Sequence, residues 1–258
     1  MHKSRRRFLQ LTSLAATSAV TAARAESSQN EPPAVGTKFD RQGRVIPLVG
    51  NTIICHFKQQ GANAALFNGM LDIYRDGPRH AFMKKVTLLP PSSYHMTIFS
   101  GADELNRKAP LWPAGVPANV DMTTCHAAVG TRLRGFKLDC ALPLRMKVDL
   151  SEPAASERPL RLRLTPIDAT ENMKLRGLRD RLSEHLGIRG DDHDTYQFHT
   201  TIGYLIQWLT PGEHMEFRVV LRRWAEQVAA RAPVIELGAP EYCVFPDMYA
   251  FHREFYLA

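Results

Sequence analysis

The chain has 258 residues, of which 44% are hydrophobic and 23% are charged, a composition typical of a globular protein with a sizeable core. Its formal net charge is +7, but five of its 33 basic residues lie in the first 25 positions, which contain no acid. The remainder carries only +2 (28 basic against 26 acidic residues), too little charge to support strong binding to long nucleic acid.

The N-terminus resembles a twin-arginine export signal. Residues 4–10 read SRRRFLQ, a mildly apolar stretch follows over residues 11–21, and residues 23–25 (ARA) form an A-x-A cleavage pattern. The apolar stretch is too short for a permanent membrane anchor. We therefore expect residues 1–25 to be a signal peptide recognised by the twin-arginine export machinery. The mature protein is then periplasmic or secreted, with no stable membrane anchor.

The first elements of the mature chain follow from its hydrophobic periodicity. Residues 26–45 are polar and contain proline, which predicts a flexible lead-in. Residues 51–57 are typical of a strand, and residues 63–74 of a helix with one apolar face. Residues 82–89 are predicted to form a second strand, which the turn at residues 90–93 ends.

The middle of the chain alternates between loop, helix and strand patterns. Residues 100–120 hold three prolines and predict a loop at the mouth of a cleft. Asp121 can cap a helix that extends to Phe136. Residues 144–150 and 160–164 alternate between apolar and polar side chains, which predicts a hairpin.

The last third contains two predicted helices and three short strands. Asp168 and Glu171 have the spacing of a capping box for a helix that reaches Leu186. Pro211 and Gly212 open a second helix. The strands are predicted over residues 234–237, 242–245 and 251–257.

Two short histidine motifs, about a hundred residues apart, carry the most information. They read YHMTIF and FHTTIG, and each places a His and a Thr two positions apart among β-forming residues. In a strand, such residues point to the same face. Two such strands at a common cleft would offer two proton-transfer groups and two hydroxyl donors, a set that suits phosphate-ester chemistry without a metal. The candidate site residues are His95, Thr97, His199 and Thr201.

The H-x-T pattern is weak by itself, and ordinary strand histidines are the alternative interpretation. A third match, at residues 193–195, lies in a polar, acidic stretch without a strand pattern, and we interpret it as accidental. Residues 191–194 could ligate a divalent metal, but a solvated acidic loop is the simpler interpretation, because close carboxylates need a specific loop geometry to converge. No metal site is therefore predicted.

The paired motifs resemble those of the two-histidine (2H) phosphoesterase superfamily, which includes LigT-like RNA phosphoesterases and plant cyclic phosphodiesterases. The stretch LLPPSSYHMT at residues 88–97 is most similar to a branch known only as domain of unknown function 1868. The resemblance covers roughly residues 40–258. It implies an α+β fold over residues 46–258 with two lobes, each an antiparallel sheet with helices outside, and the two H-x-T strands in a central cleft.

The same resemblance implies roles for the four candidates. His95 and His199 would be the general acid and base, and Thr97 and Thr201 the phosphate ligands. The expected activity is the opening of a cyclic phosphate on a small substrate, such as a 2′,3′-cyclic nucleotide or a short RNA end. Two alternatives stay open: a non-catalytic module that binds phosphorylated ligands on the same fold, and a metal-dependent hydrolase built on residues 191–194.

Other aromatic and imidazole side chains lie near the motifs in sequence. Tyr94 and Tyr196 could stack on a base of the substrate, although packing in the core or at its rim is the more common role. His56 and His252 lie on predicted strands with apolar neighbours, which favours structural roles.

Three arginines alternate with leucines around the predicted hairpin. Arg158, Arg161 and Arg163 are predicted to form the solvent-facing side of a strand, with a basic wall near the cleft as the alternative.

The chain shows no cofactor motif: it lacks G-x-G-x-x-G, Walker A and C-x-x-C patterns, so no cofactor is expected. Its four cysteines are widely spaced. Cys55, Cys125 and Cys243 fall on apolar faces of predicted elements, which predicts buried free thiols rather than nucleophiles; the fourth is Cys140.

Overall fold

The computed structural model of the protein describes residues 31–151 and 160–258. The predicted signal peptide lies outside these residues. The described part is an α+β protein with two antiparallel sheets and four α-helices, which is the predicted two-lobed, LigT-like fold. None of the described helices has the length and apolar character needed to cross a membrane.

The elements follow the chain in an order close to the predicted one. The strands are β1 (Gly50–His56), β2 (Val86–Leu88), β3 (His95–Asp103), β4 (Leu144–Val148), β5 (Leu160–Pro166), β6 (His199–Leu205), β7 (Ile235–Leu237), β8 (Glu241–Phe245) and β9 (His252–Tyr256). The helices are α1 (Ala64–Asp76), α2 (Met122–Arg134), α3 (Ala169–Leu186) and α4 (Pro211–Arg231).

The two sheets each take strands from distant parts of the chain. The first sheet has the order β3-β1-β8-β9, and the second has the order β2-β6-β5-β4-β7. The first histidine motif therefore lies on an edge strand of one sheet, and the second lies inside the other sheet. Neither lobe is a continuous piece of sequence, so the position of one motif relative to the other depends on the whole fold.

Local signals account for the ends of the helices. The carboxylate of Asp168 accepts a hydrogen bond from the backbone N–H of Glu171 and so starts α3, which ends at Gly187 in a left-handed conformation (φ 66°). The reciprocal bond of a capping box is formed instead at α4, where the side chains of Thr210 and Glu213 each bind the other's backbone N–H.

Two predicted boundaries are wrong. The stretch from Ala81 to Lys85 forms a 3-10 helix, so the second strand is only Val86–Leu88. Phe82 is fully buried against Phe217 and Trp224 of α4, so contact with a helix accounts for the apolar pattern. The second wrong boundary is the end of β3, which continues to Asp103 and so into the loop predicted from residue 100.

The lead-in is ordered from residue 31, so the prediction of a flexible segment is wrong for residues 31–45. Phe39 is fully buried, with its ring 5.4 Å from that of Tyr204 and 6.0 Å from that of Tyr249. Val35 and Val45 each form a β-bridge with Phe39. The buried ring and local backbone hydrogen bonds, such as that from Gly36 N–H to the carbonyl of Phe39 (2.8 Å), hold the segment against the protein.

A buried arginine connects the two lobes. Arg179 of α3 is 4% exposed, and its Nη1 donates to the carbonyl oxygen of Ile98 (2.6 Å) on β3, an edge strand of the first sheet. The guanidinium also lies 4.0 Å from the ring centroid of Tyr196, shortly before β6. Among the described residues, no carboxylate lies within ion-pair distance of Arg179, so backbone carbonyls and an aromatic face hold this charge.

Replacement of this arginine tests its role in joining the lobes. Arg179→Lys should lower the free energy of unfolding by about 2 kcal/mol, because an ammonium cannot bind two carbonyls and stack on a ring at once. Urea denaturation measures the loss. The exposed Arg218→Lys of α4 is the matched control and should stay within about 0.5 kcal/mol of the wild type. Equal stability of the two variants would contradict the role.

Candidate active site

His95 is the first residue of β3 and is held in a defined orientation. Its Nδ1 lies 2.7 Å from the carbonyl oxygen of Ser93, in the 3-10 turn just before the strand. A carbonyl oxygen can only accept a hydrogen bond, so Nδ1 carries the hydrogen and Nε2 has the lone pair in the neutral ring. The ring also packs against Phe251, with the centroids 4.4 Å apart.

His199 is the first residue of β6 and repeats this arrangement. Its Nδ1 donates to the carbonyl oxygen of Gln197 at 2.7 Å. Neither His95 nor His199 has a hydrogen-bond partner for Nε2 among the described residues. Each neutral ring can therefore take a proton from water or a hydroxyl at Nε2, and each protonated ring can return one.

The threonines follow their histidines on the same strand faces. Thr97 and Thr201 are half-buried, whereas the residues between, Met96 and Thr200, are fully buried. This alternation places the His and the Thr of each motif on one face, as the spacing predicts. Each strand thus presents one imidazole and one hydroxyl together.

The two strands meet between the sheets. Cα atoms of β3 and β6 approach within 8 Å of each other, and the charge of His199 acts on the pKa of His95. Tyr196, just before β6, has Thr97 of β3 as a hydrogen-bond partner. The two motifs therefore lie close together, on neighbouring strands of different sheets.

A family model matches the part of the chain that contains the first motif. A family model described as 2H-phosphodiest, domain of unknown function (DUF1868), matches residues 38–157. Over these residues the chain is similar to the 2H phosphodiesterase family DUF1868. The matched part includes His95 and Thr97, whereas His199 and Thr201 lie beyond it.

A solved structure extends the likeness over both lobes. The crystal structure of a conserved protein of unknown function, ATU0111 from Agrobacterium tumefaciens strain C58, has a TM-score of 0.79 and 25% identity to this chain. The similarity covers 89% of this chain and 94% of that one. No curated protein matches the chain.

Burial dominates the electrostatics of the candidate site. Loss of hydration lowers the pKa of His95 to about 4 and that of His199 to about 4, and the hydrogen bonds from Nδ1 oppose this only in part. The positive charges of Arg161 and Lys38 lower the pKa of His199 further. Both rings are therefore neutral at pH 7 before an anion binds.

The pairing of β5 with β6 corrects the prediction for the hairpin arginines. Arg161 lies directly opposite Thr201 and Arg163 directly opposite His199. Opposed residues of an antiparallel pair point to the same face, so both arginines flank the site. Arg163 also contacts Asp149 (3.5 Å between Nη2 and Oδ2). The prediction of a solvent-facing row is thus wrong for these two arginines, and Arg158 lies outside the described residues.

The two tyrosines beside the motifs are packed into the protein. Tyr94 is 1% exposed and packs against Phe67, and burial raises the pKa of its phenol. Tyr196 is also buried, and Arg179 covers one face of its ring. Stacking of either ring on a substrate base therefore has no support in this structure, which shows the packing role instead.

The third H-x-T match does not join the cleft. His193 is buried outside any strand, and its Nε2 lies 2.9 Å from Oδ1 of Asp180. The ligand atoms of Asp180, His193 and Asp194 lie within 4.8 Å of one another, but Asp194 pairs with Arg189 at 2.6 Å. A hydrogen bond between His193 and Asp180 and the ion pair between Arg189 and Asp194 account for these contacts. The group does not include residues 191 and 192, whose carboxylates the metal hypothesis requires.

All four cysteines are free thiols. Cys55, Cys125 and Cys243 are buried as predicted, and Cys140 is partly exposed. Burial raises the pKa of Cys243 to about 12 and also raises the pKa of Cys55, which makes these thiols poor nucleophiles.

Sequence reasoning missed several residues around the site. Lys38 lies in the segment predicted to be flexible, and no motif marks it. Arg179 resembles any charged residue of an amphipathic helix. His56 was noticed, but its apolar neighbours favoured a structural role. The one sequence signal that could have revealed it is its place on a predicted strand, since that strand could pair with the strand of His95.

The lowered pKa values predict a dependence of stability on pH. The unfolded chain binds protons near the ordinary histidine pKa of 6.5, whereas the folded protein binds them near 4. The contribution of each histidine to stability is complete above about pH 6.5 and is lost as the pH falls towards 4.

His95→Gln and His199→Gln should therefore lose less stability than the wild type between about pH 7 and pH 4.5. The difference should be on the order of 1 kcal/mol each, because the rings are partly open to solvent. Urea denaturation at both pH values measures it, with the exposed His252→Gln as control. Identical losses in wild type and variants would show that the rings titrate normally.

Proposed function

We propose that the protein is a metal-independent phosphodiesterase that opens a cyclic phosphate on a small substrate, such as a 2′,3′-cyclic nucleotide or a short RNA end. One observation carries this proposal. Two imidazoles with Nε2 atoms that have no partner among the described residues lie on strands that meet, each beside a hydroxyl on the same face. An in-line displacement at phosphorus needs such a set: a general base, a general acid and hydrogen-bond donors to the phosphate oxygens.

The two histidines divide the proton transfers. One neutral imidazole takes a proton from water as the water attacks phosphorus, and the other, protonated, gives a proton to the leaving oxygen. Thr97 and Thr201 donate hydrogen bonds to the non-bridging oxygens, where negative charge increases. The anionic phosphate raises the pKa of both histidines on binding. One of them can then be protonated at neutral pH and act as the acid.

The positive surroundings of His199 favour an anionic ligand. Arg161 and Lys38 act on His199, and Arg161 lies opposite Thr201 in the pairing of β5 with β6. These charges attract a phosphate before chemistry occurs. A non-catalytic phosphate-binding module would use the same charges, so turnover is the observation that separates the two functions.

Loss of either histidine should abolish most of the turnover. His95→Ala and His199→Ala should each lower kcat by at least roughly 10²-fold, the usual contribution of a general acid or base. The double variant should lose little more than the worse single variant, because the two groups act as a unit. Steady-state hydrolysis of a 2′,3′-cyclic nucleotide measures this, and its pH profile should be bell-shaped.

The controls separate this mechanism from its alternatives. Thr97→Ala and Thr201→Ala should cost less than the histidine changes, and EDTA should have no effect. His193→Ala should leave turnover per folded molecule nearly unchanged. Full activity in either motif variant, together with an inactive His193→Ala, would overturn the site and favour the metal hydrolase. Ligand binding without turnover in the wild type would favour the binding module.

We also propose that the protein is exported through the twin-arginine pathway and cleaved after Ala25. The supporting features are Arg5 and Arg6 and the ARA pattern of residues 23–25. N-terminal sequencing of protein from the periplasm should find Glu26 first, and the double change Arg5→Lys with Arg6→Lys should retain the protein in the cytoplasm. Mature protein that still begins at Met1 would refute the proposal.

A further inference from the structure

A third imidazole lies beside His95. His56, the last residue of β1, is paired directly with His95 of β3. Because opposed residues of antiparallel strands point to the same face, both rings lie on the cleft side of the first sheet. Their centroids are 6.1 Å apart, and the rings meet edge to face.

A buried carboxylate orients this ring. Glu241 of β8 is 3% exposed, and its Oε2 lies 2.8 Å from Nδ1 of His56. Glu241 is opposite Ile54, two residues before His56, so it lies on the same face of the sheet. The first sheet therefore presents a row of three polar side chains across adjacent strands: His95, His56 and Glu241.

The contact with Glu241 leaves the other edge of the ring available. Nδ1 of His56 carries the hydrogen that Glu241 accepts, and Nε2 has no hydrogen-bond partner among the described residues. The His56 side chain is 19% exposed, so solvent reaches it. The motif histidines donate to neutral backbone carbonyls, whereas His56 donates to a buried carboxylate, as the histidine of a Ser-His-Asp triad does.

The same group of side chains does not form a convincing metal site. Ligand atoms of His56, Glu241 and Cys243 lie within 4.8 Å of one another. Glu241 is also shared with Arg253, whose Nη1 is 3.7 Å from its Oε2. A hydrogen-bonded pair accounts for the group better than an ion.

We propose that His56 binds the phosphate of the substrate beside His95 as an imidazolium, so that the active site contains three imidazoles. Its Nδ1–H donates to Glu241 and its Nε2–H donates to the phosphate. The inference rests on the proposed function for its substrate. His56 donates a charged hydrogen bond to a non-bridging phosphate oxygen, while His95 and His199 transfer protons. Its charge favours phosphate groups of higher negative charge, such as the phosphomonoester product.

Binding of inorganic phosphate and of a nucleoside 2′-phosphate tests this role. His56→Gln should raise the Kd of both ligands about tenfold, the loss expected for one charged hydrogen bond. Glu241→Gln should also raise both Kd values. Titration calorimetry measures the Kd values. His252→Gln is the matched control: it is exposed on β9, opposite Val244 rather than in the polar row, and should bind as the wild type does.

Kinetics distinguish binding from mere support of the fold. His56→Gln should raise KM for the cyclic nucleotide more than it lowers kcat, and added imidazole should partly restore the binding of phosphate to His56→Ala. A folded His56→Gln with unchanged KM and Kd would overturn the inference. If the wild type turns over no cyclic phosphate, the proposed function fails, but the phosphate-binding experiment still decides the role of His56.

The wild-type protein supplies a test that does not depend on a variant. In ¹⁵N NMR spectra, the Nε2 resonance of His56 should shift when inorganic phosphate is added, with a half-saturation point equal to the calorimetric Kd. A resonance that stays unchanged at saturating phosphate would overturn the inference.

Discussion

The site depends on a single buried charge that holds two strands from different sheets at a fixed distance. Arg179 donates to Ile98 on an edge strand of the first sheet and stacks on Tyr196, which leads into the second histidine strand. Edge strands have unpaired carbonyls, and here a guanidinium from the other lobe satisfies one of them. A buried charge is costly unless hydrogen bonds compensate for its lost hydration, and Arg179 depends on backbone carbonyls for them. Its presence at the cleft therefore points to a requirement for precise positioning.

That positioning has an electrostatic consequence. The imidazoles of His95 and His199 are partly buried and supported by backbone carbonyls rather than by carboxylates. The nearby charges that act on His199 most strongly are positive. Such a site is unfavourable for protonated histidines until an anion enters. In the proposed mechanism an anionic ligand completes the charge balance and raises the pKa of the ring that acts as the acid, which then takes its proton from solvent.

The fold shows why the two motifs need the whole chain. The first sheet combines β1 and β3 with β8 and β9, and the second sheet takes β2 from the same N-terminal region. Gly203, which closes the second motif, shows how tight this arrangement is: a Cβ at that position would lie 2.6 Å from the carbonyl oxygen of Thr87 on β2. The glycine of FHTTIG is therefore needed for close approach of two strands.

The sequence by itself determined what depends on neighbours along the chain. Spacing alone placed His95 with Thr97 and His199 with Thr201 on common strand faces, and apolar periodicity located the four helices. The resemblance to 2H phosphoesterases, rather than any physical calculation, joined the two motifs into one site. Tertiary structure decided the rest: that β3 and β6 meet, that Arg161 points to the cleft, and that His56 lies beside His95. These facts depend on which strands pair and in which register, and side-chain alternation along a single strand carries no information about its partner.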